Sequence, residues 1–424
     1  MRYQLRPLLR ASIVGLSGGA SAILFRFVLR WLSWAITGSS APLAEAAGSL
    51  TPLPRVLIPL VGSSLAGLVL WYAPRLYRGQ HAVDYLEAVH LEDGQIPVRP
   101  TLWRSLASIL SIVTGAPIGR EGSMIQLSAL TAAILGQRWR LPPERLRLCV
   151  ACGVASGVAT AYQAPLAGAF FASEIVLGAL TLSDAGPLLV AAATGAALAH
   201  VSLGATPIFA VASVAPFSAH DLIPGLLLAC AAGLVAPVYQ HWLAAFAFLR
   251  QWPATLAWGG LVVGLTSLVR PEVWGNGETA LHSVLTGMWD PRTVLLVAGL
   301  RLVATSAAVG SGAIGGVFTP TLLIGSALGL CAGELVHALH WTAAMPAGYV
   351  LLGMACLMAA VTHAPLMAVL MVMELTGQAG LVVPLLLGSV LAWQIAHSLH
   401  GRSLYSLATP QPATRTPAID LVRN

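Results

Sequence analysis

Long stretches of the chain run without a single Asp, Glu, Lys or Arg, among them Cys149 to Ser173, Ala185 to His220, Leu302 to Gly333 and Leu335 to Met373. Each is at or above the roughly 20 residues a helix needs to cross the hydrocarbon of a bilayer. Only 9% of all residues are charged and 57% are hydrophobic, against about 25% charged in an ordinary soluble domain. Lipid, not water, is therefore the main solvent, and lipid leaves a spanning backbone few alternatives to helix. Glycine and proline break these stretches, as at Pro165 and Gly168 or Pro320 and Gly325. Half-helices enclosed by protein accommodate such breaks; simple uninterrupted spans do not.

Apolar segments near residues 11–37, 53–72, 104–136, 148–203, 222–268, 292–308 and 317–399 are the expected helical ones, with polar connections at 75–101, 138–147 and 269–292. The class expected is an all-α polytopic membrane protein. Its net charge of +6 comes from Arg alone, since the chain has no Lys. The arginines sit at the N-terminus and in short loops, without the clustered soluble face that nucleic acid requires. Arg2, Arg6 and Arg10 precede the first apolar segment, which places that end in the cytoplasm. No small-residue cleavage site follows a short apolar core, so no signal peptide is expected. Trp31, Trp71, Trp103, Trp139 and Trp252 lie near segment ends, where indole rings anchor at the interface. The five cysteines all lie in apolar segments, as small buried hydrophobes do. Cys149 and Cys152 spell CxxC without a second pair or a histidine cluster, so neither a metal nor a cofactor is expected.

Sliding the chain on itself reveals a repeat. Ala164-Pro165-Leu166 followed by Glu174 recurs as Ala364-Pro365-Leu366 followed by Glu374, and Gly115-Ala116 with Gly119 recurs as Gly312-Ala313 with Gly316. Two halves are implied, residues 1–220 and 221–406, followed by a short tail at 407–424 that carries no soluble domain. Transporters built of two inverted halves place discontinuous helices around a site near the bilayer midplane.

The run Gly115-Ala116-Pro117-Ile118-Gly119-Arg120-Glu121-Gly122-Ser123 leads into an apolar helix from Met124. A helix N-terminus has unpaired N–H groups and about half a positive charge, enough to hold an anion without a buried cation. Glu121 stands at that mouth, with amides of Gly119, Arg120 and Gly122 around it. An ionised carboxylate there occupies the anion's position and vacates it when protonated or displaced, which makes Glu121 a candidate gate. The structural alternatives are a local Arg120–Glu121 pair, or Glu121 as a cap of its own helix. In the second half Gly315-Gly316-Val317-Phe318-Thr319-Pro320 again sets glycines before a helix, with Pro320 in its first turn. Amides of Gly316, Val317 and Phe318 would face the same point, and opposed helix ends hold an ion weakly enough to release it.

These two motifs resemble the signatures of the CLC family, G-[KR]-E-G-x at Gly119 to Ser123 and G-x-F-x-P at Gly316 to Pro320. Asp84-Tyr85-Leu86-Glu87-Ala88, Trp274-Gly275-Asn276-Gly277 and Ala364-Pro365-Leu366 make the likeness greatest to its bacterial ClcB type. The resemblance implies two inverted-topology repeats of broken and tilted helices. It also implies a homodimer with one pore per subunit in the bacterial inner membrane, passing chloride as a channel or as an H+/Cl− antiporter. It assigns Tyr405 to an inner chloride. Two departures stand out. The family's G-S-G-I-P serine is absent, its register falling at Gly79-Gln80-His81-Ala82-Val83, where Gln80 or His81 would be the inner ligand. The inner proton-accepting glutamate of exchangers falls on Ile175, which leaves the adjacent Glu174 as the candidate for a proton path.

Two other classes compete. A transporter of an organic anion would need basic side chains at the midplane, for which only Arg120 and Arg301 qualify. An intramembrane serine protease rests on the GxSG spelled by Gly15-Leu16-Ser17-Gly18 alone. A serine-directed fluorophosphonate is expected to leave the purified protein unlabelled; labelling at Ser17 would reinstate the protease.

Overall fold

The computed structural model describes residues 2–405 except 78–79, 180, 212–213, 215–216, 252–253 and 342–345, and among the described residues the chain is helical with no strand. Gly79 and Trp252 of the sequence reading, and the tail at 407–424, lie outside the described residues.

The first half comprises α1 (Arg2–Thr37), α2 (Leu43–Ser49), α3 (Pro52–Leu76), α4 (Tyr85–His90), α5 (Val98–Val113), α6 (Glu121–Arg138), α7 (Pro143–Tyr162), α8 (Pro165–Phe171) and α9 (Leu182–Leu203). The second comprises α10 (Leu222–Ala245), α11 (Thr255–Val269), α12 (Glu278–Leu285), α13 (Pro291–Gly310), α14 (Phe318–Ala338), α15 (Pro346–Thr362), α16 (Pro365–Thr376) and α17 (Val382–Leu399). Among the described residues, seven helical stretches are long and apolar enough to cross a membrane. Outward-facing Leu24, Leu68, Leu227, Leu295 and Leu387 on five of them are exposed, which suits lipid and not water.

The packing repeats between halves: α6 lies on α7 as α14 lies on α15, α7 on α9 as α15 on α17, and α1 on α9 as α10 on α17. Small residues make this possible, since a Cβ on Gly153 would lie 2.5 Å from that of Ala132, and one on Gly353 only 2.3 Å from the carbonyl oxygen of Gly325. Without a hydrophobic drive between helices in lipid, such close backbone approach supplies the packing energy. Even the backbone exceptions are mirrored. Gln163 (φ 54°) and His363 (φ 58°) end α7 and α15 in the left-handed conformation, which side chains rarely adopt.

The polar connections are not all loops. Residues 75–101 contain α4, started by Asp84, whose side chain accepts from the N–H of Glu87 at 2.8 Å, and residues 269–292 contain α12. The Asp84 cap fixes where α4 starts. The apolar runs are likewise interrupted, at residues 114–120 between α5 and α6 and at 163–164 between α7 and α8.

The short helices α8 and α16 begin inside the protein, each with proline at its first position. Proline has no N–H, so the first free donors belong to the next two residues. These are satisfied across the halves. Leu166 and Ala167 donate to the Glu374 carboxylate at 3.0 and 2.8 Å, and Leu366 and Met367 donate to that of Glu174 at 3.3 and 2.7 Å. Each half thus finishes a helix of the other. Replacing either Glu174 or Glu374 by alanine is expected to cost about 1 kcal/mol, the usual net worth of such hydrogen bonds, and to lower the thermal unfolding midpoint in detergent similarly for both. An unchanged midpoint in either variant would refute the mutual capping.

Candidate functional site

The turn between α5 and α6 brings the two halves into backbone contact. Gly119 donates to the carbonyl of Gly316 at 2.6 Å, and Gly316 returns a bond to that of Gly119 at 2.9 Å, an isolated antiparallel bridge. The N-termini of α6 and α14 are therefore fixed face to face. The sequence reading placed Gly119 and Gly316 among the anion ligands, but their amides are taken by each other. The donors left open by helix geometry lie further on, at Glu121, Gly122 and Ser123 of α6 and at Phe318 and Thr319 of α14. Any side chain on Gly122 would lie 3.3 Å from the amide nitrogen of Gly316, so glycine there lets the two helix starts approach.

Glu121 is the first residue of α6 and is 4% exposed. Its Oε1 accepts long contacts from Asn276 Nδ2 at 3.4 Å and Thr319 Oγ1 at 3.3 Å, both from the second half. Its Oε2 is buried and accepts no hydrogen bond. That oxygen lies 2.1 Å from where a Cβ on Gly119 would stand, so position 119 has room for the carboxylate only as glycine. Arg120 is not its ion-pair partner: Arg120 Nη2 lies 2.8 Å from Glu278 Oε2. The local Arg120–Glu121 pair is thus replaced by a longer-range one, which leaves Glu121 loosely held.

Asn276 reaches Glu121 because a loop is pinned from beneath. Buried Arg301 on α13 donates from Nη1 to the carbonyls of Glu272 (2.7 Å) and Val273 (3.1 Å), and from Nη2 to that of Gly275 (2.8 Å). Gly277 (φ 96°) closes the loop against it, and a Cβ there would meet Arg301 Nη2 at 2.8 Å. Trp274, 1% exposed, packs on Gly115, so one of the twelve tryptophans wedges the site instead of anchoring at an interface. Neither Asn276 nor Thr319 was singled out from the sequence; the Trp274-Gly275-Asn276-Gly277 motif was the available signal for the first.

Glu121 lines one cavity, and its neighbours Arg120 and Asn276 line a second. One, of about 500 Å³, is lined by Glu121, Gly122, Gly316, Val317, Phe318 and Tyr405 together with Asp84, Tyr85, Arg104 and Tyr162. Here Tyr405 meets Phe171 edge-on at 5.5 Å, and Tyr162 lies 4.9 Å from the Phe318 ring. The segment ending in Tyr405 is tied in by the N–H of Leu404 on the carbonyl of Val361 at 2.9 Å. The other cavity, about 980 Å³, is lined by Arg120, Asn276 and Glu278 with Arg26 and Arg30.

The remaining expected residues lie elsewhere. Neither Gln80 nor His81 lines the smaller cavity; both are exposed, and His81 lies 3.5 Å from Glu92. The segment reaches the cavity only from Asp84 onward, where Gln126 of α6 holds it by accepting from the N–H of Tyr85 at 2.9 Å and donating to the carbonyl of Val83 at 3.0 Å. The Glu174 carboxylate is engaged on α16, and Ile175 packs against the core. Ser17 donates to Val14 of its own helix at 3.1 Å, while the carbonyls of Gly15 and Gly18 accept from Ser156 and Ser128 at 2.7 and 2.8 Å. The GxSG spelling is a helix-packing stripe.

Comparison with known proteins agrees with this architecture. The family model described as voltage gated chloride channel matches residues 61–397. A ClcB-like chloride channel protein of Ralstonia nicotianae is 41% identical, covering 94% of this chain and 95% of its own. The voltage-gated ClC-type chloride channel ClcB of Escherichia coli O157:H7 is 38% identical over 96% and 99%. A slow cyanobacterial Cl−/H+ antiporter shares the fold with a TM-score of 0.82 at 24% identity, covering 95% and 97%. A CLC-type fluoride/proton antiporter does so at 0.76 and 23%, covering 96% and 98%. With its paired helix starts, its reciprocal halves and a family match over most of its length, the chain belongs to the CLC family of voltage-gated chloride channels.

Proposed function

We propose that the protein carries chloride across the bacterial inner membrane through a pore closed by the Glu121 carboxylate. The observation that carries this reading is the position of Glu121 on the wall of one cavity, beside Arg120 and Asn276 that line a second, and between two helix N-termini, with one oxygen lacking any partner. The ionised carboxylate is held by the positive ends of α6 and α14 and by only two long contacts. Protonation removes the charge that holds it, and an arriving anion competes for the same amides. Amides near Arg120, Gly122, Val317 and Phe318, with the Tyr405 ring in the inner cavity, make up the anion path in this reading. Gly119 and Gly316 serve as its frame.

An organic-anion carrier has less support, since both candidate arginines are engaged, Arg120 on Glu278 and Arg301 on three carbonyls. The orientation with a cytoplasmic N-terminus is supported by Arg2, Arg6 and Arg10 at the start of α1. The two-fold assembly implied by the family resemblance completes the reading.

In chloride-loaded liposomes the purified protein should discharge the gradient faster as pH falls. Glu121→Gln, which fixes the uncharged state, should hold flux near its low-pH level at every pH, and Glu121→Ala should do the same. If both variants kept the native pH and voltage responses, the gating role would be wrong.

The mode of transport turns on the inner half of the path. Glu174 is engaged as a helix cap and Ile175 is apolar, so no free carboxylate stands at that point, which favours a channel. The reversal potential under combined chloride and pH gradients is expected to follow chloride alone. Proton uptake driven by a chloride gradient would instead establish exchange and leave the gate intact.

A further inference from the structure

The larger cavity is lined by a cation, Arg26, with no carboxylate within ion-pair distance among the described residues. Arg26 and Arg30 lie four residues apart on α1, hence on one face of the helix, and both line this cavity. Arg26 is half-buried, its Nη1 is buried with no hydrogen-bond acceptor, and neither guanidinium has a carboxylate within ion-pair distance among the described residues. The charges that act on Arg26 are Arg120, Glu278, Glu121 and Arg30, and Glu278 is already engaged by Arg120. Two further acids line the cavity without answering Arg26. Glu272 lies 3.9 Å from Arg270, and Glu45 is exposed in the first turn of α2.

A charge at membrane depth without a partner is costly. Arg301 shows how the fold treats a structural arginine, surrounding it with carbonyls. Arg26 receives no such treatment and faces open space a short way from the Glu121 mouth. We infer that Arg26, with Arg30 above it, forms a second anion site in this cavity, which holds a halide-sized inorganic anion and hands it to the position Glu121 closes. This rests on the chloride reading above, and it adds a site on the far side of Glu121 from Tyr405. The Arg120–Glu278 pair leaves the next position neutral, so that the anion is not trapped between the two.

The test uses the full-length protein in planar bilayers, with chloride varied on one face at a time. Arg26→Gln should raise the apparent KM for chloride on the N-terminally distal face about 3- to 10-fold at low ionic strength, the size expected for a steering charge. The change should fall on KM more than on maximal rate, and should shrink as inert salt shortens the Debye length to about 3 Å. Arg26→Lys should restore most of the affinity. Arg30→Gln, at an exposed position, should give a smaller rise on the same face, and provides the readout if Arg26→Gln does not fold. Unchanged KM in Arg26→Gln and Arg30→Gln, or an equal rise on both faces, would overturn the site while leaving chloride transport standing. Absence of chloride current in the unmodified protein would instead overturn the proposed function, and this site with it.

Discussion

Everything at the centre of this molecule depends on two helix starts being held face to face by the pair of backbone bonds between Gly119 and Gly316. Each helix end has about half a positive charge, so bringing α6 and α14 together concentrates positive potential where lipid surrounds the protein. Such an arrangement is stable only with something negative between them. Here that group is the Glu121 carboxylate, covalently attached to the first residue of α6.

The charges around this carboxylate are largely engaged elsewhere and leave it loosely held. Arg120 is neutralised by Glu278, Arg301 is consumed by the carbonyls of the loop that presents Asn276, and the Glu174 and Glu374 carboxylates are fixed on helix donors. Glu121 differs in having one oxygen with no acceptor role and two long contacts to the other. Tight hydrogen bonds would make it a structural cap; their absence makes it displaceable.

Much of this was legible in the residues themselves. The Ala-Pro-Leu and glutamate repeat announced two related halves, and the glycine turns before Met124 and Phe318 announced the two helix starts that meet. The sequence could not reveal which amides stay free, because the Gly119–Gly316 bridge joins residues almost two hundred positions apart, and local pattern has no information on such pairing. The same distance hid the Arg120–Glu278 pair behind the nearer Glu121. Gln80 and His81 were chosen by register alone; the chain turns toward the cavity only at Asp84, where Gln126 fastens it. Glu174 was legible as an acid at membrane depth, but its engagement on α16 requires the second half to be in place.

That last dependence bears on biogenesis. When the ribosome has released α8, the donors of Leu166 and Ala167 have no acceptor until Glu374 is synthesised some two hundred residues later. A nascent first half therefore holds an unfinished helix end in the translocon or against lipid, and completes it only when its counterpart arrives. Truncation between the halves would remove acceptors from the surviving piece rather than leave a smaller working unit, so the two halves mature together or not at all.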